Sequence, residues 1–198
     1  PRQGISYPAP LCGIGPGSRA WGQNPVPGIA TPVTEIFAPP DANQVAEAVS
    51  QAASVGTTLD LRGGGSKVAY GRPMDTDAIL DVSALSGIDL YEPEELVITV
   101  GAATPMAEVQ SVLAEANQHL AFEPPDYDQV LGHAGGCTIG GVIACNLSGP
   151  RRICAGAARD HVLGIAAISG RGDAFKSGGR VVKNVTGYDL SKLMAGSM

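Results

Sequence analysis

No run of about 18 consecutive apolar residues occurs in this chain, so nothing in it has the length of a membrane-spanning helix. The first residues, PRQGISYPAPLCGIGPGSRAWG, lack the basic n-region and the apolar h-region of a secretory signal. A cytoplasmic protein is therefore the expectation, and the missing initiating Met suggests a processed chain or a fragment. No C-x-x-C pair is present. Cys12, Cys137, Cys145 and Cys154 are scattered, which fits reduced thiols better than a disulfide framework. A metal set can be drawn from His133, Cys137, Cys145 and Cys154, but its spacings match no compact zinc or iron–sulfur signature, and no metal is expected. Positive charge is also short. Thirteen Lys/Arg face 19 Asp/Glu, a net of −6, which argues against a nucleic-acid partner. The deficit is uneven, −11 over residues 1–148 and +5 over 149–198. The basic portion either faces an anionic ligand or acidic surface, or complements the acidic portion within one fold.

What is present is a globular composition, 44% apolar and 16% charged over 198 residues, enough for one domain or two small lobes. Residues 1–30 are rich in Gly and Pro without periodicity and read as an irregular arm. Order is expected from VTEIF, a strand, followed by a helix that Asp41 and Gln44 open as a capping box. Val45, Ala48, Val49 and Ala52 form its apolar stripe, and Gly56 its stop. TTLDL is the next strand, with Thr57, Leu59 and Leu61 on one side. AILDV, IDLYE and ELVITVGA are further strands, the last two joined in a turn around Pro93. Thr104 and Pro105 are expected as N-cap and first residue of a helix with the stripe Val109, Val112, Leu113 and Ala116, ended by Asn117. FEPPDYDQVLGHAGGCTIGGVIACNLSGPRR reads as a long irregular stretch, too rich in Gly and Pro for regular structure. HVLGIAAISGRGDAFKSGG reads as a hairpin turning at Gly170 to Asp173, and GYDLSKLMAGSM as a terminal helix. Irregular alternation of strands and helices favours α+β over a doubly wound sheet.

Three consecutive glycines in LRGGGSKVAYG need a reason, because glycine runs cost backbone entropy. The P-loop pattern fails, since Lys67 is followed by Val68 rather than Ser or Thr. A Rossmann fingerprint fails as well: the G-x-G at Gly13 and Gly15 has Ser18 in place of the third glycine and no strand before it. A plain turn, or a nest of N–H groups suited to an anion, remains, with the Ser66 hydroxyl as an added donor. A second stretch of small polar residues runs through TIGG (138–141), Asn146, SGPRR (148–152) and GAARD (156–160). Two such loops could hold a dinucleotide between them.

RGGGSK, FEPPD, TIGGVIACNLSGPRR, GAARDHVLG and GGRVVKNVTGYDLSKLMAGS, in this order, resemble the FAD-binding domain of the FAD-linked oxidases of the vanillyl-alcohol oxidase type. Within that family they are most similar to the FAD-binding subunits of bacterial glycolate oxidases. The resemblance runs from about residue 31 to the end. It implies a two-lobed α+β, PCMH-type FAD-binding domain over 31–198, with lobes 31–85 and 86–198. It also implies that the domain is C-terminally incomplete and that the cap or substrate domain is missing, with weakened FAD affinity as the consequence. By the same resemblance, the backbone of Arg62, Gly63, Gly64, Gly65 and Ser66 wraps the FAD pyrophosphate. Thr138, Gly140, Gly141, Asn146 and Gly149 lie along the ribityl and pyrophosphate region, Pro125 leads into that loop, and Arg159 and Asp160 begin a strand behind it. Gly65 stands where some relatives carry a histidine linked to the flavin, so non-covalent FAD is expected. Cys137 reads as a small buried thiol rather than a second linkage point.

The resemblance implies oxidation of a 2-hydroxy acid to the 2-oxo acid within a glycolate oxidase complex. A second flavoprotein subunit and an iron–sulfur subunit are the implied partners, peripheral to the inner membrane. A stand-alone D-lactate-type dehydrogenase and a non-catalytic module that keeps the fold are the alternatives. Arg151, Arg152, Arg180 and Lys183 are the cations nearest in sequence for a carboxylate substrate, with surface or structural ion pairs as the competing reading. His133, His119 and His161 read as structural or solvent-facing, and no catalytic residue is assigned.

Overall fold

The computed structural model describes residues 35–68, 70–71, 74–127, 136–179 and 188–197; the N-terminal arm 1–30 lies outside them. Strand β1 (Glu35–Phe37), helix α1 (Ala42–Val55), β2 (Leu59–Arg62) and β3 (Ala78–Asp81) open the fold. The Asp41 carboxylate accepts the Gln44 N–H at 2.9 Å and the Gln44 side-chain amide at 3.1 Å, so Asp41 is the N-cap as expected, but Gln44 bonds the carboxylate rather than the Asp41 backbone and the reciprocal capping box is not made. Val45 and Ala52 of the stripe are buried, and Gly56 ends the helix at a φ of +76°, which only glycine adopts freely. β3 runs between β1 and β2, parallel to both, with Ala78 opposite Glu35 on one side and Leu59 on the other. Its apolar run suits a strand covered on both faces: Ala78, Ile79 and Leu80 are all buried. Leu61, expected on the same side as Leu59, is 67% exposed. Among the described residues β2 is an edge strand of this sheet.

β4 (Ile88–Glu92) and β5 (Val97–Val100) form the expected antiparallel pair. Helix α2 (Met106–Glu115) follows, with Val109 and Leu113 of its stripe buried. Pro105, not Thr104, holds the N-cap position. Thr104 is fully buried, and its hydroxyl accepts the Gly87 N–H at 2.9 Å and donates to the Gly101 carbonyl at 2.7 Å. A buried hydroxyl needs internal partners, and these hold it against the Gly87 and Gly101 backbone rather than over the first turn of α2.

The stretch expected to be irregular contains one short helix and ends where a second begins. α3 (Ile139–Ala144) starts at Thr138, and α4 (Arg152–Ala155) lies in the RRICA segment. The signal for α3 is Ile139, Val142 and Ile143 at helical spacing, and packing overrides the glycine pair between them, since Val142 is wholly buried. α5 (Ala158–His161) stands where a strand was expected to begin at Arg159 and Asp160, and it also holds His161. β6 (Gly164–Ile168) and β7 (Ala174–Gly178) make the expected hairpin, and Asp189 caps the closing helix α6 (Leu190–Met194). Met106, Phe122, Val142, Leu147 and Ala158 form a core cluster, with Cys137, Ile139, Ile143 and Cys145 packed against it. The second glycine-rich segment is thus anchored directly on the hydrophobic core.

Candidate functional site

The first loop begins where β2 ends. The Arg62 guanidinium turns back onto Asp60, with its nitrogens 2.6 and 2.8 Å from Oδ2, while its carbonyl accepts the Val82 N–H at 2.7 Å. Its side chain is therefore committed to the scaffold. Gly64 is exposed, Gly65 takes a φ of +70°, and Ser66 is buried with 4% exposure. Hydrogen bonds from the Val68 N–H to the Gly65 carbonyl and from the Tyr70 N–H to the Lys67 carbonyl close the turn.

The second loop is stitched to the segment before α2. The Met106 N–H donates to the Cys137 carbonyl, Ile139 N–H to Thr104, and Gly140 N–H to Ala102, at 2.9, 3.0 and 2.8 Å. Close approach explains two of its glycines. A methyl group on Gly140 would lie 2.6 Å from the Ala102 carbonyl oxygen, and one on Gly149 2.6 Å from that of Glu123. The Gly149 N–H also donates to the Phe122 carbonyl at 2.8 Å, which ties half-buried Pro125 and its neighbours to this loop. Farther on, the polar side chains hold up α5. Asn146 Oδ1 accepts the Arg159 N–H at 2.9 Å, Ser148 Oγ accepts the Ala158 N–H at 2.8 Å, and an Asp160 carboxylate oxygen accepts the Ala157 N–H at 2.8 Å. Between them they satisfy backbone donors that a short helix leaves open.

The two loops meet through their remaining glycines. A methyl on Gly63 would lie 3.5 Å from Thr138 Oγ1, and one on Gly141 3.2 Å from Lys67 Nζ. Lys67 also donates to Ser66 Oγ at 3.3 Å, and it lines a shallow cleft with Tyr70, Tyr127, Cys145 and Leu147. Burial pushes the Cys145 thiol pKa up, and the nearby Lys67 charge opposes that shift. Gly63, Ser66, Thr138 and Gly141 are therefore brought together, while Arg62, Asn146, Arg159 and Asp160 have bonds that build the scaffold. Lys67, Tyr70 and Tyr127 were not singled out as site residues from the sequence. The G-G-G-S-K run and the two tyrosines flanking the Gly/Pro-rich segments were the available signal.

The other candidates are dispersed. Arg151 pairs with Glu123 at 3.2 Å, Arg152 and His119 are exposed, and His161 Nε2 lies 2.8 Å from the Ala155 carbonyl oxygen with its ring tilted against Phe122. His133, Arg180 and Lys183 lie outside the described residues. Cys154 is exposed, apart from the core-packed Cys137 and Cys145, and no metal-holding cluster occurs among the described residues. The facing bare backbones, two hydroxyls and one ammonium fit a flat dinucleotide with an anionic linkage such as FAD. Among the described residues no helix is long and apolar enough to cross a membrane.

Comparison with known proteins gives the same answer by another route. The sequence profile described as FAD binding domain matches residues 33–178. The chain is 46% identical over 151 residues to glycolate oxidase subunit GlcE of Escherichia coli (strain K12), covering 76% of this chain and 41% of that protein. It is 32% identical over 184 residues to a D-2-hydroxyglutarate dehydrogenase of Xanthomonas citri pv. viticola, covering 91% of this chain and 35% of that one. Glycolate oxidase subunit GlcD of Bacillus subtilis (strain 168) is 27% identical over 163 residues, 82% of this chain and 33% of its own. The chain thus spans well under half the length of these relatives. Among solved structures, a variant of Phl p 4 described as a glucose oxidase superposes with a TM-score of 0.63 at 17% identity, over 81% of this chain and 31% of that one.

Proposed function

This chain belongs to the FAD binding domain family, and from that premise we propose that it is the FAD-holding part of a glycolate oxidase subunit. The fold is the PCMH-type FAD-binding fold, mixed helix and strand, and FAD is the cofactor. The proposed activity is oxidation of a 2-hydroxy acid to the 2-oxo acid, in a complex with a second flavoprotein subunit and an iron–sulfur subunit. A cytoplasmic setting, peripheral to the inner membrane through that complex, goes with this reading. The observation that carries it is the 46% identity to a glycolate oxidase subunit over 76% of the chain.

When bound, FAD supplies the two-electron acceptor that no side chain provides. This chain's residues bind and orient it. Gly63, Gly64 and Gly65 present backbone with no Cβ in the way, and the Ser66 and Thr138 hydroxyls lie on either side of the junction. In this proposal Gly140, Gly149, Asn146, Arg159 and Asp160 act at one remove, by fixing the second loop and α5 so that Gly141 and Thr138 face the first loop. We place the lobe boundary near residue 85, after the three-stranded sheet, although α1 also packs on the β6–β7 turn, where a methyl on Gly172 would lie 2.7 Å from the Ala46 carbonyl oxygen.

The test is the visible absorption spectrum of the purified chain before and after addition of FAD and removal of the excess. A flavin band is expected in the presence of added FAD, and weakened affinity shows as its partial loss when the excess is removed. A folded protein that stays colourless in excess FAD refutes the cofactor-holding role for this chain. Substrate is tested in the assembled complex, with glycolate and D-lactate offered alongside an artificial electron acceptor. The similarity to a D-2-hydroxyglutarate dehydrogenase keeps a stand-alone dehydrogenase as the second reading, and turnover of D-2-hydroxy diacids without partner subunits would favour it.

A further inference from the structure

We propose that Lys67 is the cation that meets a phosphate oxygen of FAD, so that the cradle combines one movable charge with the neutral backbone donors. The proposal rests on the reading that FAD lies between the two loops. Three observations support it. Lys67 Nζ sits at the junction itself, where a methyl on Gly141 would come within 3.2 Å of it, and it donates to the neutral Ser66 hydroxyl at 3.3 Å. It is half-buried, and among the described residues no carboxylate lies within ion-pair distance of it.

The other cations nearby are accounted for. Arg62 is held by Asp60, Arg151 by Glu123, and Lys192 by the carbonyls of Arg159 and Val162. Leaving a half-buried ammonium without a counter-charge is unfavourable unless something anionic completes the site. Between the parts of FAD, the pyrophosphate carries full negative charge, whereas the oxidised flavin ring is neutral. A compact ammonium gains most from the phosphate, through short charge-assisted hydrogen bonds.

The sequence also distinguishes this lysine from a P-loop lysine. It follows Ser66 rather than a glycine, stands before no helix, and reaches across to the other loop instead of along its own. Lys67 would then link the two loops, its ammonium lying beside Ser66 of the first and Gly141 of the second. A methyl on Gly141 would crowd the ammonium at 3.2 Å, so the bare backbone there leaves the lysine its place.

The experiment compares the wild-type chain with Lys67→Met and Lys67→Arg. FAD affinity is measured by flavin fluorescence quenching at a series of salt concentrations, with circular dichroism and thermal melting as controls for folding. Lys67→Met is expected to melt like the wild type, to bind FAD about tenfold more weakly or worse, and to show a flatter salt dependence. Lys67→Arg is expected to recover part of both. A Lys67→Met chain that binds FAD as tightly as the wild type overturns the proposal. So does one that binds more weakly with an unchanged salt dependence, since that is the signature of a lost packing or ring contact. A wild-type chain that takes up no FAD overturns the site reading as well, so the two failures are told apart by the wild-type control.

Discussion

Neighbouring glycines in the second loop should respond oppositely to the same substitution. Gly140→Ala places a methyl 2.6 Å from the Ala102 carbonyl oxygen and 2.9 Å from the Ala102 Cβ. Those atoms belong to backbone that also accepts the Gly140 N–H at 2.8 Å, so relief requires prying the two segments apart. Overpacking of this kind costs about 1–3 kcal/mol. The strained hydrogen bond adds about 0.5–1.5 kcal/mol, and better helix propensity returns at most about 1 kcal/mol. A net loss of about 0.5–4.5 kcal/mol is expected, centred on about 2–3 kcal/mol. Gly141→Ala brings its methyl to 3.2 Å from Lys67 Nζ and 3.4 Å from Thr138 Oγ1. The tip of a lysine moves at little cost, so the helix-propensity gain survives and stability should be unchanged or up to about 1 kcal/mol higher. FAD affinity should follow the opposite order, weakened by Gly141→Ala through the displaced lysine even though the fold is intact. Urea unfolding of the two variants, followed by flavin titration of each, measures both quantities. A Gly140→Ala protein as stable as Gly141→Ala would refute the claim that Gly140 is there for the Ala102 contact.

Met106→Ala, which empties part of the core cluster beneath the second loop, is expected to cost about 2–5 kcal/mol in urea unfolding, and a loss below 1 kcal/mol would show that the cluster readily collapses. The Asp77 carboxylate receives the Thr58 hydroxyl at 2.6 Å and the Thr58 N–H at 2.8 Å, which lowers its pKa. A lowered folded-state value means that this stabilisation is complete above the ordinary carboxylate range and fades as pH falls from about 4 through the folded-state value. The acid limb of the stability curve should therefore flatten in Asp77→Asn. Iodoacetamide should modify exposed Cys154 well before Cys145, whose thiol is held protonated by burial, as mass spectrometry of the partly alkylated chain can show.

The fold was most legible where local chemistry and periodicity agree. The Asp41 N-cap, the Val45–Ala52 stripe and the αL stop at Gly56 all act within one helix, and each occurs as expected, the reciprocal Gln44 bond of a capping box excepted. The β6–β7 hairpin is legible for the same reason, its turn lying between two complementary runs. Misreadings came where a distant partner decides. Thr104 has every local mark of an N-cap, but Gly87 and Gly101 claim its hydroxyl. The glycines of α3 argue against a helix locally, and the burial of Val142 among Met106, Phe122 and Leu147 overrides them. Leu61 alternates with Leu59 along its strand, yet on β2, an edge strand among the described residues, it is exposed.

The site shows the same division at finer scale. A glycine in sequence says only that a side chain is absent, and the absence has two physical meanings here. At Gly140 and Gly149 the space is filled by another backbone, so these residues would be glycine with or without a ligand. At Gly65 nothing lies within 4 Å of an added methyl, and at Gly63 only the Thr138 side chain does, at ordinary contact distance. Among the described residues the scaffold gives no steric reason for glycine at either position; the left-handed turn accounts for Gly65, and in the proposed site a ligand approaching the backbone would account for Gly63. Asn146 makes the parallel point for polar residues. Its side-chain oxygen is spent on the Arg159 N–H, so its place in a cofactor motif reflects support of α5 at least as much as any contact of its own. Lys67 is the converse, a residue inside the RGGGSK motif that was not singled out as a site residue, whose half-buried charge finds no counter-charge among the described residues. Separating the scaffold's requirements from the ligand's therefore turns on what each residue faces, and by that criterion the first loop, Gly141 and Lys67 are where substitution should change FAD binding without changing the fold.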